Sequence, residues 1–142
     1  MKVKLEVPSF FHFDTKLKIR VSDVNYGGHL GNDAVLSLAH ESRVQFFKSL
    51  NMTERDFFGK SLIMADSVVV YKSQGFLGDK IDVNISITEL RSHGFKIFYL
   101  FKNNGTKRDL AYIQTSMVFY DYDMEKILPT PDDFKLFVDK FN

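Results

Sequence analysis

"DAVLSLAHESRVQFFKSL", residues 33–50, contains neither glycine nor proline. Its apolar residues recur at the three- and four-residue spacing of a helix, which places them on one face. This pattern predicts a long helix that is largely buried, because the apolar face is wide. Asn32 or Asp33 is the expected N-cap, since a short polar side chain can accept a hydrogen bond from a free amide of the first turn. The apolar face consists of Val35, Leu36, Leu38, Ala39, Val44, Phe46, Phe47 and Leu50.

The segments around this helix have the composition and alternation of strands. Short connections, including the Asn-Gly pair of "NNGTK" (103–107), favour antiparallel neighbours. We therefore predict a single α+β domain over residues 1–142, in which a curved five-stranded antiparallel sheet wraps the long central helix. The expected strands are 16–22, 66–73, 80–88, 95–102 and 111–121, and a short helix is expected within 132–141.

Composition excludes several classes of function. A net charge of +1 without a run of Lys or Arg gives no electrostatic basis for binding nucleic acid. The chain has no cysteine, which excludes disulfides and Cys-based zinc sites, and its four histidines lack metal-ligand spacing. No apolar run is long enough to span a membrane and no leader pattern begins the chain. We expect a cytoplasmic protein with no metal, no cofactor and no membrane insertion.

The segment before the helix, "SDVNYGGHLGND" (22–33), is unusually rich in glycine and polar residues. Glycines let the backbone approach a ligand closely, and the first amides of a helix are unpaired and partly positive. The amides of Gly28 and Leu30 are therefore candidates for an oxyanion hole, with Asn32 beside them. The alternative is a plain turn from strand to helix, which the same glycines also permit.

Four side chains near this segment could take part in chemistry. Asp23 and Asn25 point to one face if the backbone is extended, and His29 lies among the glycines. Glu41 follows inside the apolar helix, roughly 13 Å beyond Asn32 at 1.5 Å per residue. Each has a structural alternative. Asp23 is expected to cap a turn rather than to catalyse, and His29 could bond to the loop backbone. Glu41 could instead form an ion pair, with Arg43, His40 or Arg20 as the candidate partners.

Residues 18–47 resemble the hotdog-fold acyl-CoA thioesterases of the 4-hydroxybenzoyl-CoA thioesterase type. The resemblance lies in Asp23-Val24-Asn25, in Gly28-His29-Leu30-Gly31-Asn32 and in Glu41-Ser42-Arg43. It implies hydrolysis of an acyl-CoA, the small-molecule partner, to free acid and CoA. It also implies a homodimer or homotetramer in which one chain's loop and the other chain's helix share a site.

Asn25 departs from the family pattern, which commonly has a catalytic Asp at this position. An amide cannot accept a proton usefully, although it can orient water or donate a hydrogen bond. Two mechanisms therefore stay open: Glu41 activates water, or His29 does so with Asn25 positioning it. By family analogy Lys72, Arg91, Ser92 and His93 are candidates for CoA binding, and the alternative for them is solvated charge at strand edges.

Two other functions compete with hydrolysis. Hotdog hydratases and dehydratases have Gly-Asp-x-Asn-Pro-x-His, with Asp and His five positions apart; here Asp23 and His29 are six apart and no proline follows Asn25. A chain without the usual acid could also bind acyl thioesters without cleaving them. The acyl group, the carrier (CoA or acyl-carrier protein) and the choice between dimer and tetramer stay undetermined by the sequence.

Overall fold

The computed structural model describes residues 2–141, which form two helices and six strands. Residues 2–12 precede the first strand without regular secondary structure of their own. In chain order the elements are β1 (Phe13–Lys18), a 3-10 turn (Val21–Asp23), α1 (Asn32–Ser49), β2 (Ser61–Tyr71), β3 (Lys80–Arg91), β4 (Gly94–Asn103), β5 (Asp109–Asp121), β6 (Lys126–Ile127) and α2 (Asp132–Asp139).

The strands form one antiparallel sheet in the order β1-β3-β4-β5-β2, and β6 pairs with the end of β5. Consecutive strands β3, β4 and β5 are neighbours because short turns join them. Strand β2 pairs with β5 along one side only, so its other side is an edge of the sheet among the described residues. None of the helices within residues 2–141 is long and apolar enough to cross a membrane.

The core lies between α1 and one face of the sheet. Alternate residues of β3, such as Ile81, Val83 and Ile85, are fully buried there, as the period of two in a strand requires. Helix α1 contributes the apolar residues that the helical spacing indicated, among them Val35 and Phe46. The predicted α+β hotdog architecture is therefore confirmed.

Three details of the prediction are wrong. The first strand ends at Lys18 rather than at residue 22, because Asp23 folds back onto Arg20 and closes a 3-10 turn. The sheet has a short sixth strand, Lys126–Ile127. The N-cap of α1 is Gly31, so Asn32 and Asp33 are its first helical residues and no side chain caps the helix.

Candidate functional site

The segment before α1 folds into a miniature hairpin closed by a bridge between Val24 and Leu30. Inside it the Asn25 amide donates to the His29 carbonyl at 2.9 Å, and the Gly28 amide donates to the Asn25 carbonyl at 2.9 Å. Gly28 has φ of 82°, a conformation that side chains other than glycine rarely adopt. We call residues 24–31 the glycine loop. The loop backbone therefore requires a glycine at position 28.

The side chain of Asn25 organises the glycine loop from within. Its Oδ1 accepts hydrogen bonds from the backbone amides of Gly27 at 3.0 Å and His29 at 3.3 Å. A short side chain that accepts from amides two and four residues ahead mimics a backbone turn. Its Nδ2 donates no hydrogen bond within residues 2–141, so this N–H group is available to a ligand or a water molecule.

The connection between β2 and β3 fixes the glycine loop from outside. The Leu30 amide donates to the Gly75 carbonyl at 2.7 Å, and the Leu77 amide donates to the Gly28 carbonyl at 3.2 Å. A Cβ atom at Gly75 would lie 3.4 Å from Cβ of Leu30 and 2.7 Å from the terminal Cδ1 of Ile19, so a larger residue there would have to displace the Ile19 side chain. The loop is thus held against a part of the chain distant in sequence.

Asp23 holds the start of the loop. Its side chain is only 4% exposed, and its Oδ2 accepts from the Arg20 backbone amide at 2.8 Å. The Arg20 guanidinium donates to both carboxylate oxygens at 3.1 Å. Burial by itself would raise the pKa of Asp23, but these hydrogen bonds and the charge of Arg20 outweigh it and lower the pKa below its usual value. The Asp23 carboxylate therefore has a structural role, which is to hold the start of the loop against Arg20.

A cavity of about 190 Å³ opens between the glycine loop, the start of α1 and the end of β2. It brings together four residues that the sequence singled out. Three more polar side chains line the cavity. The sequence analysis did not predict them, since only the pairing of β2 with β5 brings them there. Of these three, the Tyr71 hydroxyl donates to the Asn32 carbonyl at 3.5 Å. The predicted residues are Asn25, His29, Leu30 and Asn32, and the additional ones are Tyr71, Ser73 and Gln74.

The His29 imidazole is half-buried at this cavity and packs edge-on against Phe76, with ring centroids 4.8 Å apart. The expected loop hydrogen bond of His29 involves only its backbone. Neither ring nitrogen has a hydrogen-bond partner in the part of the chain that the structure describes. The ring is thus held by packing, and both of its nitrogens are free to exchange a proton with a bound water molecule.

The amides of Gly28 and Leu30, the predicted oxyanion donors, are not free in this loop conformation. Both amides already donate to backbone carbonyls, of Asn25 and Gly75 respectively. Among the described residues the amides of Asn32 and Asp33, the first two of α1, have no such acceptor, whereas the next amide donates to the Gly31 carbonyl. Unpaired amides at a helix start carry partial positive charge and can polarise a carbonyl oxygen.

Glu41 does not reach this cavity within one chain. Its side chain is exposed on α1, and it makes none of the three expected ion pairs within residues 2–141. The expected partners are engaged elsewhere: Arg20 with Asp23, and both His40 and Arg43 with Glu54.

The residues predicted to bind CoA are divided between the two ends of the sheet. Lys72 follows β2 beside Leu110, at the start of β5, and its Nζ lies 5.2 Å from the centre of the Tyr112 ring. The turn of Arg91, Ser92 and His93 lies at the other end of β5, where Gly94 pairs with Val118. Arg91 is paired with Glu89 at 2.9 Å, and the Ser92 hydroxyl lies 2.9 Å from Nδ1 of His93. The four residues therefore do not form one surface.

The described residues contain no group of three or more histidine, aspartate or glutamate side chains close enough to hold a metal ion. The chemistry available at the cavity is therefore that of an imidazole, an amide side chain, hydroxyl groups and free backbone amides.

Solved structures of similar fold are thioesterases by name. The 1,4-dihydroxy-2-naphthoyl-CoA thioesterase of Synechocystis has a TM-score of 0.79 and 20% identity, covering 89% of this chain and 94% of that one. A predicted thioesterase from Bacillus stearothermophilus has a TM-score of 0.77 and 22% identity, covering 90% and 94%. A gentisyl-coenzyme A thioesterase has a TM-score of 0.74 and 16% identity, covering 89% and 99%. These similarities establish the fold.

The sequence itself identifies the family. No curated protein matches the chain. A family model described as the Thioesterase-like superfamily matches residues 19–138, a span that contains the glycine loop, α1 and β2 to β5. The chain therefore belongs to the Thioesterase-like superfamily, whose class of reaction is thioester hydrolysis.

Proposed function

We propose that the chain hydrolyses an acyl-CoA thioester to the free acid and CoA at the cavity between the glycine loop and the start of α1. One observation carries this proposal: an imidazole and a side-chain amide N–H group, both without a hydrogen-bond partner among the described residues, border the same cavity as Asn32, where α1 begins with two unpaired backbone amides. A base, a group that orients water and donors for an oxyanion are the components that acyl transfer to water needs.

The reaction begins with the thioester carbonyl oxygen at the amides of Asn32 and Asp33. The Asn25 Nδ2 group orients a water molecule, and His29 accepts its proton as the oxygen attacks the carbonyl carbon. The tetrahedral intermediate then collapses, the C–S bond breaks, and the imidazolium returns the proton to the departing thiolate. Each oxyanion donor contributes roughly 10²–10³ in rate where such donors have been removed in other enzymes.

The active form in this proposal is a homodimer. The free edge of β2 has unpaired backbone groups. Unless this edge is covered, these groups can pair with a strand of another chain. The outward side of α1 also exposes apolar residues, Leu36 at 38% and Val44 at 42%. A second copy on these surfaces is also the only way for Glu41 to approach a glycine loop, so the mechanism in which Glu41 is the base requires it.

The second candidate is an acyl-thioester-binding protein without turnover. The observation that favours it is the engagement of Asn25: its oxygen already accepts two loop amides, so the residue that replaces the usual acid serves the loop's structure. In this case the cavity would hold the thioester without activating water.

The test is free-thiol release from purified protein given short, long and aromatic acyl-CoAs. Aromatic substrates belong in the panel because two proteins of similar fold are named for aromatic acyl-CoAs. Release well above the spontaneous rate supports hydrolysis, and the preferred acyl group defines the substrate. Binding without release would favour the binding protein, and hydration of crotonyl-CoA without thiol release would favour a hydratase. Absence of binding and turnover alike would contradict the proposal.

A further inference from the structure

The small cavity at the glycine loop adjoins two larger surface clefts. Each has a volume of about 620 Å³, and Ser73 lines all three spaces. The two clefts lie against the turn between β4 and β5, with Arg108 lining both. A long ligand whose reactive end occupies the small cavity would therefore extend past Ser73 toward this turn.

The far end of this path is strongly basic. Four cations line the outermost cleft with one acid, Asp109, whose carboxylate is already engaged by Lys102 at 3.6 Å and by the Tyr112 hydroxyl at 2.6 Å. The other acid beside the path, Asp79, accepts hydrogen bonds from the Phe76 amide at 3.0 Å and from Asn103 at 3.1 Å. We call this surface the basic cleft. Its cations are Lys72, Lys102, Lys107 and Arg108.

Three of these cations have no acidic partner. Lys72, Lys107 and Arg108 make no ion pair with any described residue. By contrast, Arg91 in the opposite turn is neutralised by Glu89 at 2.9 Å. Unpaired cations concentrated in a cleft create a positive potential that attracts a polyanion. The contrast favours the basic cleft over the Arg91 turn as the place where phosphates bind.

The turn that carries these cations is rigid. Oδ1 of Asn103 accepts from the amides of Gly105 at 2.8 Å and Thr106 at 3.1 Å, and its Nδ2 donates to Asp79. Lys107 has φ of 63°, an uncommon left-handed conformation for a residue with a side chain. Backbone strain of this kind persists where the surroundings enforce it, and often at ligand sites.

We propose that the basic cleft binds the 3′-phosphate and diphosphate groups of coenzyme A, while the pantetheine arm passes Ser73 and delivers the thioester to the glycine loop. The inference rests on the proposed hydrolysis of acyl-CoA and assigns its carrier. Arg108 suits a phosphate because its guanidinium can donate two parallel hydrogen bonds, and the lysines act as point charges. The proposed carrier is CoA, since its diphosphate and 3′-phosphate supply several negative charges for this cleft, whereas the phosphopantetheine arm of an acyl-carrier protein has one phosphate and acyl-pantetheine has none.

The experiment compares acyl-CoA with the same acyl group on pantetheine, in the wild type and in Lys107→Ala/Arg108→Ala. We expect the double variant to raise KM for acyl-CoA about tenfold, the effect of losing one charge-assisted hydrogen bond, and to leave kcat unchanged. Acyl-pantetheine should be a poorer substrate for the wild type, with a KM that the double variant leaves unaltered. Added salt should weaken only the acyl-CoA reaction of the wild type.

A second readout does not depend on hydrolysis. Adenosine 3′,5′-bisphosphate, titrated calorimetrically, should bind the wild type and lose about tenfold in affinity in the double variant. The matched control is Lys126→Ala/Lys140→Ala, which removes two exposed cations that make no ion pair with a described residue and lie outside the clefts. This control should keep the wild-type affinity and KM.

The two proposals fail in distinguishable ways. Hydrolysis with an unchanged KM in Lys107→Ala/Arg108→Ala, or equal use of acyl-CoA and acyl-pantetheine, overturns the basic cleft and leaves hydrolysis standing. Nucleotide binding that the double variant abolishes, without any hydrolysis, supports the cleft and overturns the proposed reaction. An acyl-carrier protein preferred over acyl-CoA also overturns the assignment of the carrier.

Discussion

Two polar regions of this molecule, the glycine loop and the interior around Arg43, differ in how completely their hydrogen bonds are satisfied. Arg43 is 3% exposed and donates to Glu54 at 2.8 Å and to the Tyr99 hydroxyl at 2.9 Å, which in turn lies 2.8 Å from the Thr115 hydroxyl. No buried side-chain nitrogen or oxygen lacks a partner within residues 2–141. Around the glycine loop and the start of α1, the His29 ring, the Asn25 Nδ2 group and the backbone amides of Asn32 and Asp33 have no hydrogen-bond partner among the same residues.

This difference distinguishes polar groups that stabilise the fold from polar groups that are available for function. Burial alone would lower the pKa of Arg43, yet Tyr99 and Glu54 raise it and keep the guanidinium charged. Burial raises the pKa of Tyr99, so its hydroxyl stays protonated. A closed network of this kind stabilises one arrangement of the core, because each member would be costly to leave unpaired. An open set at a surface cavity stabilises little and is available to a ligand.

The largest expected effect is on the closed network. Arg43→Ala leaves the Glu54 carboxylate and the Tyr99 hydroxyl without their buried partner, and should lower the free energy of unfolding by about 3 kcal/mol. The measurement is denaturant unfolding followed by circular dichroism. Lys126→Ala, at an exposed position of β6, is the control and should change the free energy of unfolding by less than about 0.5 kcal/mol. Equal losses in the two variants would contradict the distinction.

Substitution of an unpaired group at the glycine loop should have the opposite effect, a large loss of activity with little loss of stability. His29→Ala removes the proposed base, so kcat for an acyl-CoA should fall about 100-fold, within the range of general-base catalysis. The free energy of unfolding should fall by only about 1 kcal/mol, because the ring makes no hydrogen bond with a described residue and only its packing against Phe76 is lost. Full activity in His29→Ala would remove His29 from the mechanism.

The two regions also differ in how far the sequence predicts them. The helix of residues 33–50 and the alternating strands were predictable because their periodicity is local, and the predicted Asn25, His29 and Asn32 do border one cavity. The Arg43 network was not, since Tyr99 lies 56 positions away. The engagement of the predicted oxyanion donors could not be read from the sequence for a similar reason: whether the Leu30 amide is free depends on Gly75, which only the folded chain brings beside it.

Substitutions of Asn25 test whether this residue both stabilises the glycine loop and takes part in the reaction. Asn25→Ala removes the acceptor of two loop amides and the proposed water donor, so kcat should fall about tenfold. Asn25→Asp keeps the acceptor but removes the N–H group, so it should retain the wild-type stability and still lose activity. Turnover and thermal unfolding of both variants check this. Higher turnover in Asn25→Asp would show that a carboxylate base at this position outperforms His29.

Asp23 belongs to the structural part of the loop, and its contribution should depend on pH. Because its pKa is lower in the folded chain than its usual value of 3.8, the unfolded chain binds more protons there. The stabilisation is therefore present above that value and lost as the pH falls through the folded pKa. Asp23→Asn should lower the free energy of unfolding by about 1 kcal/mol at pH 7. Unfolding curves at pH 7 and pH 3 should show this difference shrinking in acid; a constant difference would contradict the ion pair.

Substitution of Glu41 should have the smallest effect of the five. It tests most directly whether a residue of α1 takes part in the chemistry at the glycine loop. Glu41 lies on the same helix as Arg43 but is exposed and unpaired within residues 2–141, so Glu41→Gln should change the free energy of unfolding by less than about 0.5 kcal/mol. Within one chain it is roughly 13 Å from the start of α1, too far to act at the cavity there. We therefore expect turnover within about twofold of the wild type, as for a surface position remote from the chemistry. A tenfold loss with unchanged stability, measured on the oligomer, would mean that Glu41 acts at the glycine loop of a second copy. The catalytic base would then belong to the partner chain. The unpaired groups at the glycine loop of one chain would form a complete active site only together with Glu41 of the other chain.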